Sequence, residues 1–334
     1  MDFNIYLDAV KVLFSGGNPY THLINSPGPH NYPPTAFLFL IFLQNKLLFD
    51  ILSFLSFFIS LYLLTNKKFF VSCFLFLVSY AIFFPFKFNY GMGQINNFIL
   101  LFCVLAYYYS PVFLAYAIGI KVIPAIYLLY FFIKRDFKKI FATLVFLFFF
   151  FLLSFLIISW DFQKIYFFDV FFRGFGNVGK EVYYNQSLAG LLARSSLSFF
   201  IYPFSLLILF MTWLKGRKIN SPRLFSAVTC LLLILSPIAW QHHFVFAIIP
   251  LILLFPLNKL LVIVAYFLIA SNIKNPRIIP GEFSFILSHQ FWGIFILWIL
   301  ALWDKKAVKI ISYIWIFLIT AFYVLSLISR CRAC

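Results

Sequence analysis

Long apolar runs recur along this sequence, and they constrain its fold more than any other feature. Residues 46–64 and 137–159 are two of these runs. A helix of about 20 apolar residues, rising 1.5 Å per residue, crosses about 30 Å of hydrocarbon. Only 10% of the 334 residues are charged, whereas a soluble domain carries about a quarter. We therefore predict an all-α polytopic membrane protein, because a transmembrane barrel would show alternating segments of about ten residues.

The basic residues lie mostly between the apolar runs and explain the net charge of +17. Clusters such as residues 134–139 mark the cytoplasmic side under the positive-inside rule. This placement favours a membrane topology over a nucleic-acid partner. It predicts about 10 or 11 transmembrane helices. The corresponding spans lie near residues 46–64, 69–86, 93–109, 137–159, 197–214, 223–238, 243–257, 259–271, 285–303 and 307–328.

The apolar pattern predicts a single membrane-embedded domain over residues 1–334. Its parts are an outer-face interfacial helix and loop (1–34), N-terminal transmembrane helices (35–159), an outer-face loop (160–196) and C-terminal transmembrane helices (197–334).

Residues 112–133 allow two topologies. A single crossing would place the basic cluster at 134–139 outside, against the positive-inside rule. Gly119, Lys121 and Pro124 interrupt the segment, so a broken helix that returns to its own side resolves the conflict. Non-helical backbone is tolerated at this depth where it lines a protein cavity. The alternative is an ordinary kinked span.

Polar residues concentrate on the predicted outer side, which points to extracytoplasmic chemistry. A channel or transporter would more often place ionisable groups at mid-depth. All five histidines lie on the outer side, and so do six of the nine carboxylates: Asp2, Asp8, Asp161, Asp169, Glu181 and Glu282.

The N-terminal segment predicts an amphipathic helix over residues 3–14 that lies in the membrane interface. Asp2 at its start either caps the helix or serves as a general base, or orients one, at the membrane surface. Tyr32, in "HNYPPTAF", either anchors the chain at headgroup level or binds substrate.

Two further strings place polar side chains near helix ends. Gln94 and Asn96 open a span where the helix dipole favours an anion, or where they simply cap the helix. Asn185 and Gln186 precede a helix that Asn185 or Ser187 can cap. Arg194 on that helix suits a phosphate group, although it could also extend to a lipid headgroup.

"SPIAWQHHF" places His242 and His243 beside Trp240 at an outer-side turn. Successive helical residues point about 100° apart, so the two rings do not face one pocket equally. A zinc site would need further ligands at suitable spacing, and we expect no metal. A general base is the better functional interpretation for one of them. The alternative is a pair of hydrogen-bonded interface residues.

Six strings, in order along residues 2–256, resemble glycosyltransferase family 87 of the GT-C superfamily. They are "DFNIYLDAVKVLFSGGNPY", "YPP", "GQINNFIL", "AIGIKVIPAIYLLYFFIKR", "NQSLAGLLAR" and "SPIAWQHHF". The resemblance implies a GT-C-like helical bundle. It also implies transfer of a hexose, mannose above all, from a polyprenyl-phosphate donor to a lipid- or glycan-linked acceptor at the extracytoplasmic face of the plasma membrane.

By position, the resemblance places the family's acidic residue on Asp2 and its outer-face histidine on His242 or His243. Five further residues match motif positions that would line the cavity: Gln94, Lys121, Asn185, Gln186 and Arg194. Tyr32, Asn96 and Trp240 complete the candidate substrate-binding set. Family members carry a transmembrane helix before this aspartate, and here Asp2 follows Met1, so the resemblance implies that the first helix is lacking.

The expected reaction is an inverting single displacement with an oxocarbenium-like transition state. A phosphate leaving group requires no general acid. The sequence lacks a DxD-type pair for a metal-bound nucleotide, so we expect no cofactor beyond the lipid-linked donor. A transporter or flippase of lipid-linked sugars is the alternative function, and it would need a polar path through the membrane.

Overall fold

The computed structural model describes residues 2–21, 31–173, 182–195, 197–272 and 287–303. Its helices are α1 (Asp2–Phe14), α2 (Phe37–Leu40), α3 (Lys46–Leu64), α4 (Phe69–Ile82), α5 (Phe84–Met92), α6 (Asn96–Tyr108), α7 (Pro111–Ile120), α8 (Leu128–Ile133), α9 (Phe137–Ser154), α10 (Trp160–Ile165), α11 (Phe171–Arg173), α12 (Leu188–Arg194), α13 (Ile201–Gly216), α14 (Ser221–Ile234), α15 (Ile248–Leu254), α16 (Lys259–Ala270) and α17 (His289–Leu302). Shorter 3₁₀ turns cover Pro34–Ala36, Ile123–Tyr127, Ser198–Phe200 and Gln241–Ala247.

This architecture confirms the predicted all-α polytopic class. Within the described ranges, three helices are long and apolar enough to cross a membrane: Lys46–Leu64, Phe137–Ser154 and Ser198–Gly216. The pair α4 and α5 adds a fourth if it counts as one bent span. The other apolar helices are 10–17 residues long, so the number of crossings stays a prediction. The span predicted at 307–328 lies outside the described residues, as do Glu181 and Glu282.

The span predicted at residues 69–86 is wrong in its extent, because the helix breaks before Pro85. Helix α4 ends at Ile82, and α5 continues from Phe84 at an angle of 74°. A proline ring has no amide hydrogen and collides with the carbonyl four residues earlier, so the helix cannot continue through it. Phe83 between them has extended backbone. The bend directs α5 toward the Gln241–Ala247 turn, against which it packs.

Gly93 joins α5 to α6 and allows α1 to approach this junction closely. Its backbone is left-handed, with φ of +66°, a conformation that side chains with a Cβ rarely adopt. A Cβ atom on Gly93 would lie 2.7 Å from the Cβ of Phe3. The N-terminal end of α1, which carries Asp2, is therefore held against the start of α6.

Lys121 interrupts the apolar segment at 112–133. Helix α7 ends at Ile120, and Lys121 has extended backbone with φ of −150° and ψ of 129°. A 3₁₀ turn containing Pro124 follows and leads into α8. The Thr35 hydroxyl donates a hydrogen bond to the Gly119 carbonyl near the break. The break in the helix agrees with the sequence analysis. Whether residues 112–133 form a re-entrant segment or a kinked span stays a prediction.

Helix α14 forms the centre of the C-terminal half. Every residue from Leu224 to Ile234 is buried, as expected for a helix that is apolar all round and enclosed by others. It packs against α13, α15, α17 and the Gln241–Ala247 turn. In the N-terminal half, α3 packs on α6, α6 on α7 and α7 on α9. The Gln241–Ala247 turn contacts both halves through α6 and α14.

Replacing Gly93 by alanine should destabilise the protein by at least about 1 kcal/mol, because alanine pays the left-handed backbone penalty and meets Phe3. Thermal unfolding in detergent measures the effect. Gly91→Ala is the matched control, since a Cβ there meets nothing within 4 Å and alanine favours a helix. Equal melting temperatures for the two variants would contradict the close approach of α1.

Candidate functional site

All the predicted site residues except Trp240 fall into two polar groups, which also include Tyr6 and Ser187. The first, the Lys121 cluster, comprises Asp2, Tyr6, Tyr32, Gln94, Asn96, Lys121, His242 and His243. The second, the Asn185 clasp, comprises Asn185, Gln186, Ser187 and Arg194. The clasp bonds to the backbone immediately before the histidine pair, so the two groups are adjacent.

Tyrosine hydroxyls form one side of the Lys121 cluster. The Tyr6 and Tyr32 hydroxyls hydrogen-bond each other at 2.9 Å. Both also approach Gln94 Oε1, at 3.3 Å and 3.4 Å. Lys121 Nζ lies 5.9 Å from the centre of the Tyr32 ring. These contacts connect α1, the segment before α2 and the start of α6.

Lys121 occupies the centre of the cluster. Its Nζ lies 3.1 Å from Asn96 Oδ1 and 2.8 Å from His243 Nε2. Asn89 orients the Asn96 side chain, because Asn96 Nδ2 donates to Asn89 Oδ1 at 2.9 Å. The break after α7 therefore delivers the amine to polar partners from two other elements.

The two histidines have different surroundings. His243 is engaged at both ring nitrogens: Nε2 contacts Lys121, and Nδ1 accepts the Trp240 amide hydrogen at 3.2 Å. His242 is 1% exposed, and its Nδ1 is buried without a hydrogen-bond partner. Its ring centre lies 5.7 Å from that of Trp240 and 5.6 Å from that of Phe88.

Asp2 contributes the carboxylate of the cluster. It is the first residue of α1 and is only partly buried. Burial raises the pKa of its carboxyl group above the usual value, and a positive charge on Lys121 acts in the opposite direction. The two side chains thus share one electrostatic environment. A carboxylate with a raised pKa is a stronger proton acceptor than an ordinary one.

The Asn185 clasp holds the turn that leads into the histidines. Asn185 Oδ1 accepts the Ala239 amide hydrogen at 3.0 Å, and its Nδ2 donates to the Pro237 carbonyl at 3.2 Å. The Gln186 amide donates to the Ala239 carbonyl at 2.8 Å. Asn185 and Gln186, predicted to bind substrate, thus both bond to the backbone of this turn.

Arg194 is bound within the clasp. Its Nη1 donates to the carbonyls of Val182 and Asn185, both at 2.8 Å, and its Nη2 donates to Ser288 Oγ at 2.6 Å. Its Nε is buried without a partner. Burial lowers the pKa of Arg194 to about 10, so the guanidinium stays charged at neutral pH. Ser187 caps this helix by accepting the Gly190 amide hydrogen at 3.1 Å.

Trp240 connects the clasp to the histidines. Its backbone forms an antiparallel bridge with Asn185, and its amide binds His243 Nδ1. The indole Nε1 is buried without a hydrogen-bond partner. The indole ring packs edge-on against Tyr184 and His242.

Sequence reasoning missed Tyr6, Asn89 and Gln290. Tyr6 follows Asp2 by four residues and so shares its helix face, a signal that could have found it. Asn89 precedes Asn96 by seven residues, but the turn at Gly93 brings them together. The Gln290 amide donates to Gln186 Oε1 at 3.1 Å from more than a hundred residues away in sequence, and no local pattern predicts that contact.

The described residues contain no group of three or more histidine, cysteine or acidic side chains that could hold a metal ion. The expectation that no metal takes part stays a prediction.

Comparison with known proteins identifies the family. The sequence profile described as glycosyltransferase family 87 matches residues 30–237. The chain belongs to glycosyltransferase family 87. It is therefore a membrane glycosyltransferase, which acts on a sugar donor and an acceptor. No curated protein and no solved structure matches it significantly.

Within this glycosyltransferase, replacing Asn185 by alanine should cost about 1–3 kcal/mol of stability, because the Ala239 amide and the Pro237 carbonyl would lose their partner. The turn should loosen as well. Thermal unfolding measures the first effect, and faster amide hydrogen exchange at residues 237–243 measures the second. Gln44→Ala, at an exposed amide, is the control, and equal exchange rates in both variants would contradict the clasp.

Proposed function

We propose that this enzyme transfers a hexose, specifically mannose, from a polyprenyl-phosphate donor to a lipid- or glycan-linked acceptor. The reaction proceeds at the extracytoplasmic face of the plasma membrane and inverts the anomeric carbon in a single displacement. The observation that carries the proposal is the convergence of Asp2 and Lys121, from separate elements, on one polar cluster that also contains both histidines.

Asp2 supplies the base. Its carboxylate takes the proton from the acceptor hydroxyl, whose oxygen attacks the anomeric carbon while the bond to the phosphate oxygen breaks. The leaving phosphate keeps the electron pair as an anion and needs no general acid. Positioned general bases accelerate such steps about 10²–10⁴-fold. The raised pKa of Asp2 supports this role.

Lys121 stabilises the negative charge that grows on the leaving phosphate. The neighbouring His243 ring lies 2.8 Å from the amine. An interaction that strengthens as charge develops in the transition state lowers the barrier. An interaction that binds the substrate and the transition state equally does not. Arg194 contributes indirectly from the clasp: it donates to the Asn185 carbonyl, and Asn185 holds the turn before the histidines.

His242 and Trp240 suit the recognition of sugar hydroxyl groups. His242 Nδ1 and the Trp240 indole Nε1 are buried and without hydrogen-bond partners, and their rings are in edge-to-face contact. Buried polar atoms without partners are costly, and substrate hydroxyl groups would satisfy them. The indole face adds apolar contact for a sugar ring.

The apolar cavity beside the Lys121 cluster supports a lipid-linked donor rather than a nucleotide sugar. A small cavity beside Lys121 and His243 has a mainly apolar lining that includes Ile99, Leu232 and Phe246. A phosphate bound at Lys121 would have polar partners in the cluster, and the apolar side chains next to it would suit the prenyl chain.

A transfer assay in proteoliposomes tests the proposal. The wild-type enzyme should move radiolabelled mannose from polyprenyl-phosphate mannose to a lipid acceptor, whereas Asp2→Asn should lose about 10²–10⁴-fold in kcat with little change in melting temperature. Asp161→Asn, at an exposed carboxylate, should keep wild-type activity. Translocation of the donor across the bilayer without sugar transfer would contradict this proposal and favour a flippase.

The pH profile checks the role of Asp2. The carboxylate must be ionised to accept a proton, so kcat/KM should fall as the pH falls through its pKa. Because burial raises that pKa, the acidic limb should lie above the usual value for aspartate, about 3.9. An acidic limb that persists unchanged in any residual activity of Asp2→Asn would assign the base to another residue.

A further inference from the structure

His243 has a defined tautomer because the turn around it fixes one ring nitrogen. The Trp240 amide donates to His243 Nδ1 at 3.2 Å, and the His243 amide donates to the Trp240 carbonyl at 2.8 Å. A ring nitrogen that accepts a hydrogen bond carries no hydrogen. In a neutral imidazole the other nitrogen then carries it. His243 Nε2 is therefore an N–H donor.

That donor lies 2.8 Å from Lys121 Nζ. An ammonium group has three N–H donors and no lone pair, so a charged Lys121 would place donor against donor. A neutral amine accepts the hydrogen from Nε2 and still donates to Asn96 Oδ1 at 3.1 Å. With Nδ1 occupied by the Trp240 amide hydrogen, a neutral Lys121 satisfies both groups of the contact. The Ile238 backbone is a further hydrogen-bond partner of the His243 ring.

The other groups around Lys121 act in both directions. Asp2 on α1 favours the ammonium form by Coulomb attraction. Tyr32, from the segment before α2, presents its ring face, and His242 adds a second titratable ring from the Gln241–Ala247 turn. Helix α6 contributes the neutral Asn96. The mainly apolar cavity beside the amine disfavours a charge, as does the donor at His243.

We propose that Lys121 is a neutral amine in the substrate-free enzyme and takes up one proton from solvent when the phosphate of the lipid-linked substrate binds. His243 then donates its Nε2 hydrogen to a phosphate oxygen instead of to the amine. The uptake step rests on the proposed function, because it requires a phosphate substrate. The empty site thus avoids an ammonium group that faces another donor, and the positive charge appears when an anion is present to pair with it.

The protonated Lys121 stabilises the phosphate product more than the intact sugar-phosphate donor. A sugar phosphodiester carries one negative charge, whereas the polyprenyl phosphate product is a monoester with about two at neutral pH. The ammonium form of Lys121 pairs more strongly with the second state, so its stabilisation grows as the bond to the sugar breaks.

Nitrogen NMR of the enzyme labelled with ¹⁵N-lysine reads the protonation state directly. The Lys121 Nζ resonance is assigned by its loss in Lys121→Arg. At about pH 8, where an ordinary lysine is charged, the free enzyme should show a neutral amine. Saturation with farnesyl phosphate, a short monoester that is already a dianion at this pH, should convert the resonance to ammonium.

Calorimetry in buffers of different ionisation enthalpy counts the protons. Binding of farnesyl phosphate should take up about one proton per site in the wild type and none in Lys121→Arg, because arginine stays charged. Lys46→Arg, at a partly exposed lysine paired with Asp50, is the matched control and should keep the uptake. His243→Gln, whose amide oxygen can accept a hydrogen from an ammonium, should show a charged Lys121 in the free enzyme at about pH 8.

The outcomes separate this inference from the proposed function. An ammonium resonance in the free wild-type enzyme, or a neutral amine that persists with phosphate bound, overturns the inference. If farnesyl phosphate does not bind, the proposed donor class is wrong and the uptake step falls with it. The resonance of the free enzyme still decides the protonation state of Lys121 in that case.

Discussion

A lysine amine placed among apolar helices needs a hydrogen-bonding partner, and the rest of the site depends on how this chain supplies one. Lys121 meets His243, which lies 122 positions later in the sequence. The contact joins the break after α7 to the turn before α15. Both N- and C-terminal halves contact that turn, so the pair lies where they meet. Burying the polar groups of Lys121 and His243 among apolar helices without such a partner would cost free energy.

Departures from regular helix bring the remaining groups to this pair. Extended backbone at Lys121 ends α7 and directs the amine inward. Left-handed backbone at Gly93 lets α1 pack against the start of α6 and holds Asp2 near the amine. The clasp at Asn185 fixes the turn at residues 237–240. In each case the chain gives up helical hydrogen bonds next to a group of polar side chains, and side chains or turns satisfy the backbone.

The sequence predicted the elements of this fold better than their junctions. Apolar length located α3 and α9, and helical spacing located α1, because these patterns are local. The bend at Pro85 was visible as a proline, but its 74° angle depends on packing. Only the family resemblance assigned Lys121 and a histidine to one cavity. The sequence did not predict their contact, because a pairing across 122 positions leaves no local pattern.

A structure of the enzyme with farnesyl phosphate bound tests most directly whether this pair is the phosphate site. The phosphate should lie within hydrogen-bond distance of both Lys121 Nζ and His243 Nε2, with the carboxylate of Asp2 facing the same pocket. A phosphate bound instead at Arg194, with the contact between Lys121 and His243 unchanged, would contradict the assignment of Lys121 to the leaving group.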